Sequence, residues 1–215
     1  MVGVVMDKSA GSADGRAPRR GRGGPAKLPT AFGAFTCYAY DGSAGAHHAA
    51  VIKGDIESTN EPVLVRVHSS CVTGDIFGSL RCDCGAQLHA ALELIESAGT
   101  GIVVYLDQEG RGIGPTNKMR AYQLQDGGLD TVEANEALGF APDERSYQDA
   151  VDILHDLGVE HVRLLTNNPQ KVTQLSALGV NVDERVPIVI APNEHNESYL
   201  GIKALKLGHQ LPPRD

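Results

Sequence analysis

Residues 101–114 read GIVVYLDQEGRGIG. The first six form an unbroken apolar run, the pattern of a strand buried on both faces, and they empty into a glycine-rich turn. On the N-terminal side, residues 36–40, 48–53 and 62–68 read as further strands, β-branched or alternating, with Gly, Ser, Asn and Pro between them. Leu88, Leu92 and Ile95 recur at helical spacing and Gly99 supplies a stop. On the C-terminal side, residues 117–125 read as a helix with Lys118 and Arg120 in its first turn. PDERSYQDAVDILHDLG (142–158) opens on Pro and acids, repeats Ala150, Ile153, Leu154 and Leu157, and closes on Gly158, so a helix is expected there. HVRLLT (161–166) reads as a strand, NNPQKVTQLSALG (167–179) as a helix, PIVI (187–190) as a last strand and residues 197–207 as a last helix. Strands first, then strands alternating with helices, predict a single α/β domain: a mixed β-sheet covered by helices, without internal repeats or a second domain.

The 215 residues carry 19 Lys+Arg against 27 Asp+Glu, a formal charge of −8. An acidic chain is a poor general binder of nucleic acid or membrane surfaces, which call for a basic face. The charge is uneven, however. Residues 1–27 hold six basic and two acidic groups, leaving the rest strongly acidic. Residues 7–27 contain no large apolar side chain and are rich in Gly, Ser, Ala, Pro and Arg. The expectation is therefore a disordered basic tail over 1–27, a weak RNA candidate at most, with the domain over 28–211 and a short tail over 212–215. No apolar run approaches a membrane span and the start, Val2 to Met6, is too short for a signal-peptide core, so a cytoplasmic protein is expected.

Three of four cysteines, Cys71, Cys82 and Cys84, fall within 14 residues, a grouping that suits a metal in a reducing compartment better than a disulfide framework. Thiolates favour zinc, and three ligands with one position open is the arrangement of a catalytic site. A structural site would need a fourth ligand, for which His68 and His89 are the nearby candidates. Cys37 reads as a small apolar residue. The turn GRGIG offers backbone N–H groups to an anion, although it is neither the P-loop nor the dinucleotide fingerprint. Asp143 and Arg145, taken alone, read as the acidic start of a helix with an ordinary surface arginine.

Taken together, RVHSSCVTGDIFGSLRCDCGAQL (66–88), QEGRGIG (108–114), NKMRAYQLQD (117–126), DTVEAN (130–135), GFAPDER (139–145) and RLLTNNPQK (163–171) strongly resemble GTP cyclohydrolase II, in order and without a large gap from about Leu28 to Leu211. The resemblance implies a hydrolase that opens the imidazole ring of GTP at C8. It releases formate and pyrophosphate to give 2,5-diamino-6-(5-phosphoribosylamino)pyrimidin-4(3H)-one, the first step of riboflavin synthesis. It implies one Zn2+ per subunit on Cys71, Cys82 and Cys84, with Mg2+ on the triphosphate, and a homodimer. By motif, Asp143 becomes a proton acceptor and Arg145 a nucleophile or activator at the α-phosphate. Because guanidinium stays protonated, a clamp on phosphoryl charge is the alternative for Arg145. Tyr122 would protonate or orient the C8 adduct. Glu109 would accept from guanine N1–H and the exocyclic amine and so reject adenine. Gln87 would lie near base or ribose. Arg66, Val67, His68, Ser69, Ser70, Gly110, Arg111, Thr131, Thr166 and Lys171 would complete the GTP site.

Four positions depart from the family pattern: Ser70 where Glu is usual, Asp107 before QEGR, and the pair Pro115-Thr116 in place of an apolar pair. These keep two further readings open, a specialised paralogue that stops at the formamide or serves secondary metabolism, and a non-catalytic GTP-binding module.

Overall fold

A computed structural model describes residues 21–208, the side chains of Ser198 and Leu207 excepted. Its strands are β1 (Arg22–Thr30), β2 (Gly33–Asp41), β3 (His47–Lys53), β4 (Val63–Ser69), β5 (Gly101–Leu106), β6 (His161–Leu165) and β7 (Asn181–Val186). They form one mixed sheet in the order β1-β2-β3-β5-β4-β6-β7. β1, β2, β3 and β5 pair antiparallel, while β5, β4, β6 and β7 run parallel. The helices are α1 (Val72–Asp75), α2 (Cys84–Ala98), α3 (Gly114–Asp126), α4 (Thr131–Ala137), α5 (Gln148–Asp156), α6 (Pro169–Ala177) and α7 (Glu197–Leu207). Among the described residues none is long and apolar enough to cross a membrane.

The GIVVYL stretch is β5, and its lack of polar alternation follows from its place. Ile102, Val104 and Leu106 join Val65, Val67 and the buried faces of α5 and α6 on one side, and Val103 joins Leu64, Ala91 and Ile95 on the other. Full burial of each Ile or Leu there contributes about 1.5–3 kcal/mol. α2 stops where Gly99 turns left-handed (φ 76°) and returns its N–H to Ile95 and Glu96 carbonyls. Pro169 stands in the first turn of α6 and Asn168 caps it, accepting from Gln170 N.

Four expectations need correction. The expected tail over 1–27 reaches too far: Arg22–Thr30 is a strand, because backbone pairing with β2 demands no large side chain, and Arg22 bonds Asp156 at 3.0 Å and stacks on Tyr38. Residues 1–20 lie outside the described residues, as do 209–215. PIVI is no strand. Asn167 takes up the backbone of Ile188 instead, donating to its carbonyl at 2.6 Å and accepting from its N–H at 3.0 Å, while the polar stretch 181–186 forms the edge strand. α5 begins at Gln148, not at Pro142. The acids ahead of it bend the chain locally, with Glu144 accepting from Ala141 N and Asp143 from Arg145 N. Finally, α3 starts three residues early, at Gly114, and α4 was unforeseen.

The parallel strands set the location of the chemistry. β4 ends at Ser69, β5 at Leu106 and β6 at Leu165, and the motifs at 70–71, 108–114 and 166–171 all follow those carboxyl ends. That is where open α/β sheets bind ligands.

Candidate active site

Cys71 leaves β4 with its N–H held by Asp75 at 2.9 Å, while Cys82 and Cys84 arrive at the start of α2. Two glycines let these segments meet. A Cβ on Gly85 would stand 2.2 Å from the Gly74 carbonyl oxygen, and one on Gly74 would stand 2.9 Å from Cys82 Sγ. The three sulfurs lie within 4.8 Å of one another, with Cys71 and Cys82 3.7 Å apart. Two thiolates on a tetrahedral zinc, each at about 2.3 Å, would be about 3.8 Å apart, so the set fits such an ion. Among the described residues no fourth ligand joins them. His68 is turned to Asp75 (3.0 Å), His89 packs on Phe32, and Cys37 sits in β2.

Lys118 on α3 underlies this cluster. Its buried ammonium donates to Cys71 Sγ (3.1 Å), Thr73 Oγ1 (2.9 Å) and Glu109 Oε1 (2.8 Å). Burial opposes its charge, but the bonds to Glu109 and Cys71 prevail and raise its pKa. The Cys71 thiol is held far below its ordinary value, by hydrogen bonds from Cys82 and Cys84 first, then Thr73 and Lys118. Cys82 and Cys84 are raised, each mainly through its bond to Cys71. One turn on, Tyr122 lies under the Arg81 guanidinium, 4.3 Å from its ring centre, and burial raises its hydroxyl pKa.

Glu109 is a cross-brace. Besides Lys118, its carboxylate accepts from Val72 N (2.6 Å) and Gly110 N (2.8 Å). Arg111 beside it takes a left-handed backbone (φ 62°) that a non-glycine residue adopts at a cost of order 1–3 kcal/mol. Gly112 passes so close to Glu144 that an added Cβ would lie 3.0 Å from its carbonyl carbon.

The same pocket has a cationic wall, to which Arg66, Arg145 and Lys171 contribute. Lys171 is buried and donates to the Val67 carbonyl at 2.8 Å. Burial first, then the charges of Arg66 and Arg145, push its pKa well below the usual lysine value. Arg145 is paired with Asp143 through two bonds, at 2.8 and 2.5 Å. Burial works against both charges, yet the pair keeps Arg145 protonated and holds Asp143 below the usual carboxylate range. Asp143 and Arg145 are thus a charge pair in the pocket lining, where the sequence taken alone pointed to a helix start.

A second polar chain runs behind the cysteines. Lys203 of α7 donates to Asp83 Oδ1 (2.6 Å), Gln87 Nε2 to Asp83 Oδ2 (2.6 Å), Arg66 NH2 to Gln87 Oε1 (2.6 Å), and Arg66 NH1 to the Leu165 carbonyl (3.0 Å).

One pocket collects almost every residue singled out in the sequence, from Arg66 on β4 to Lys171 on α6. Val67 is the exception: its side chain is in the core and only its carbonyl reaches the site, through Lys171. Ser69 and Ser70 line the pocket and hold Gln108, accepting from its Nε2 (2.8 Å) and its N–H (3.1 Å). Thr166 and Thr131 line it from the ends of β6 and α4. Missed were Lys118 as a site residue, Asp83, Asn167, Tyr199 and Lys203. Lys118 stands four residues before Tyr122, one helical turn, and Asp83 stands between two cysteines, so both carried a readable signal.

The GTP cyclohydrolase II family profile matches residues 22–187. Riboflavin biosynthesis protein RibBA of Bacillus velezensis (strain DSM 23117 / BGSC 10A6 / LMG 26770 / FZB42) is 56% identical over 185 residues, 86% of this chain and 46% of its own length. The protein of the same name from Bacillus mycoides (strain KBAB4) is 58% identical over equal shares. The chain therefore spans about half the length of the curated relatives it matches. The solved structure of RibBX, a two domain 3,4-dihydroxy-2-butanone 4-phosphate synthase from A. baumannii, aligns at a TM-score of 0.40 with 20% identity. That alignment covers 80% of this chain and 42% of that one. Three clustered thiols, a cationic wall and a profile match over most of the fold agree on one assignment: the chain belongs to the GTP cyclohydrolase II family.

Proposed function

We propose that this chain hydrolyses GTP at C8 and at the triphosphate, releasing formate and pyrophosphate to leave 2,5-diamino-6-(5-phosphoribosylamino)pyrimidin-4(3H)-one for riboflavin synthesis. The observation that carries the reading is one pocket lined both by a three-thiol cluster and by Arg145 and Lys171. Zinc is the proposed ion for Cys71, Cys82 and Cys84, and when bound it supplies an activated water as nucleophile.

The chain's own residues divide the rest. Tyr122 keeps its proton at neutral pH, so it can donate toward the ring nitrogen or orient the formamide. Arg145 clamps phosphoryl charge, since a guanidinium whose protonated form is favoured serves as a donor fork rather than a nucleophile. Asp143 holds that fork and accepts a proton from attacking water. Arg66, Arg111 and Lys171, with Mg2+, offset the triphosphate, while Thr131 and Thr166 offer hydroxyls. Glu109 is proposed to read guanine, which requires substrate donors to displace Lys118 and Gly110 from its carboxylate. Gln87 lies beside the base or ribose, its amide braced by Arg66 and Asp83. The working form is proposed to be a homodimer in the cytoplasm.

The test is formate release from GTP before and after zinc is stripped and restored. Release from GTP, restored with zinc and absent with ATP, is expected; a protein with a full metal site that releases none from GTP contradicts the proposal.

A further inference from the structure

Helix α7 lies beyond the 22–187 that the family profile matches, yet it lines the pocket with Tyr199 and Lys203. Lys203 Nζ is 2.6 Å from Asp83 Oδ1, and the Lys203 side chain is 10% exposed, that of Asp83 3%. Asp83 is the residue between two of the three clustered cysteines. Its second oxygen takes the Gln87 amide, whose other end takes Arg66, so one line of bonds joins α7 to α2 and β4. One turn on, the same side of α7 is pinned as well. Lys206 contacts both Asp130 and Glu133, and Asp130 is the capping residue that starts α4 and sets Thr131 at the pocket wall.

A buried ion pair of this kind is weak as a source of net stability, because desolvating two charges offsets their attraction. Its stronger effect is geometric. Asp83 cannot move without leaving Lys203 and Gln87 unpaired in the interior, and both neighbouring cysteines move with it. Resting on the reading of the pocket as a zinc and GTP site, we propose that Lys203 is a positioning residue. It fixes Cys82-Asp83-Cys84 and Gln87 in their working geometry, and α7 is an integral wall of the GTP site.

The test uses the full chain and three proteins: the parent, Lys203→Met, and the double variant Asp83→Asn with Lys203→Met, which buries no lone charge. Zinc retention against a chelator and GTP affinity by calorimetry are measured where circular dichroism shows each protein folded. Outer-shell partners of metal ligands are worth about 10–100-fold in metal affinity; Lys203 acts one step further out, through Asp83, so a loss of about 10-fold in zinc retention is expected in Lys203→Met, with weakened GTP binding. The double variant is expected to recover thermal stability but not GTP affinity. A parent that binds neither zinc nor GTP would defeat the underlying reading. A competent parent matched in both measurements by Lys203→Met, or by the double variant, overturns the role given to Lys203. Should Lys203→Met fail to fold, the double variant decides alone by the same comparison.

Discussion

The ammonium of Lys118 donates to the sulfur of Cys71 across 3.1 Å, and no other cation bonds a cysteine sulfur among the described residues. Three thiolates on a divalent ion leave a net negative centre, a poor setting for acidifying water. Lys118 offsets that charge at its source, and Glu109 holds it there at 2.8 Å. Lys118→Met leaves the Glu109 carboxylate buried without its cation. The expected loss is about 3–5 kcal/mol of folding stability in urea titrations with zinc present. Adding Glu109→Gln should recover part of it, and a double variant no more stable than the single one contradicts the pairing.

Gly85 makes a second prediction independent of charge. Its hydrogen faces the Gly74 carbonyl, where a methyl group would stand 2.2 Å from oxygen. Gly85→Ala must separate α1 from α2 and pull Cys71 from Cys82 and Cys84. Overpacking of this kind costs about 1–3 kcal/mol, and it should appear with diminished zinc stoichiometry by elemental analysis. Full metal content in Gly85→Ala would show that the cluster does not depend on this contact.

Tyr122 separates ring opening from the release of formate. General acid–base groups contribute about 100- to 10,000-fold, so Tyr122→Phe should slow formate release by at least about 100-fold while a product retaining its formyl group accumulates. Mass spectrometry of the product reads this directly. Unchanged formate release would assign the residue to packing under Arg81.

Lys171 supplies the pH signature. Burial and the neighbouring cations hold its pKa well down in the free protein, and an arriving triphosphate favours the ammonium form. GTP binding should therefore take up a proton, and affinity should fall as pH rises between the depressed value and the ordinary one near about 10.4. Calorimetry in buffers of different ionisation enthalpy measures the uptake. Lys171→Met should abolish it, and equal enthalpies for the parent in all buffers would contradict the assignment.

Much of this was legible in the residues themselves. GIVVYL declared a doubly buried strand because both faces of β5 are covered, and the cysteine spacing declared the cluster because α2 begins at Cys84. PDERSYQ was misread because Pro and acids mark a helix start and a local turn alike, and the deciding partner, the Arg111 carbonyl bound by Glu144 N, is distant in sequence. PIVI was misread because only the fold brings Asn167 to its backbone. The pairing of Arg22–Thr30 with β2 was invisible because its side chains are largely exposed. Net charge proved silent on the site: an acidic body gathers Arg66, Arg111, Arg145, Lys171 and Lys203 around one pocket.

The most direct measurement follows formate, pyrophosphate and product mass together when the purified chain turns over GTP with Mg2+ and zinc. Formate and pyrophosphate released in equal amounts, with a product that has lost both, is the predicted result. GTP bound at an intact three-cysteine metal site without release of formate would contradict the account.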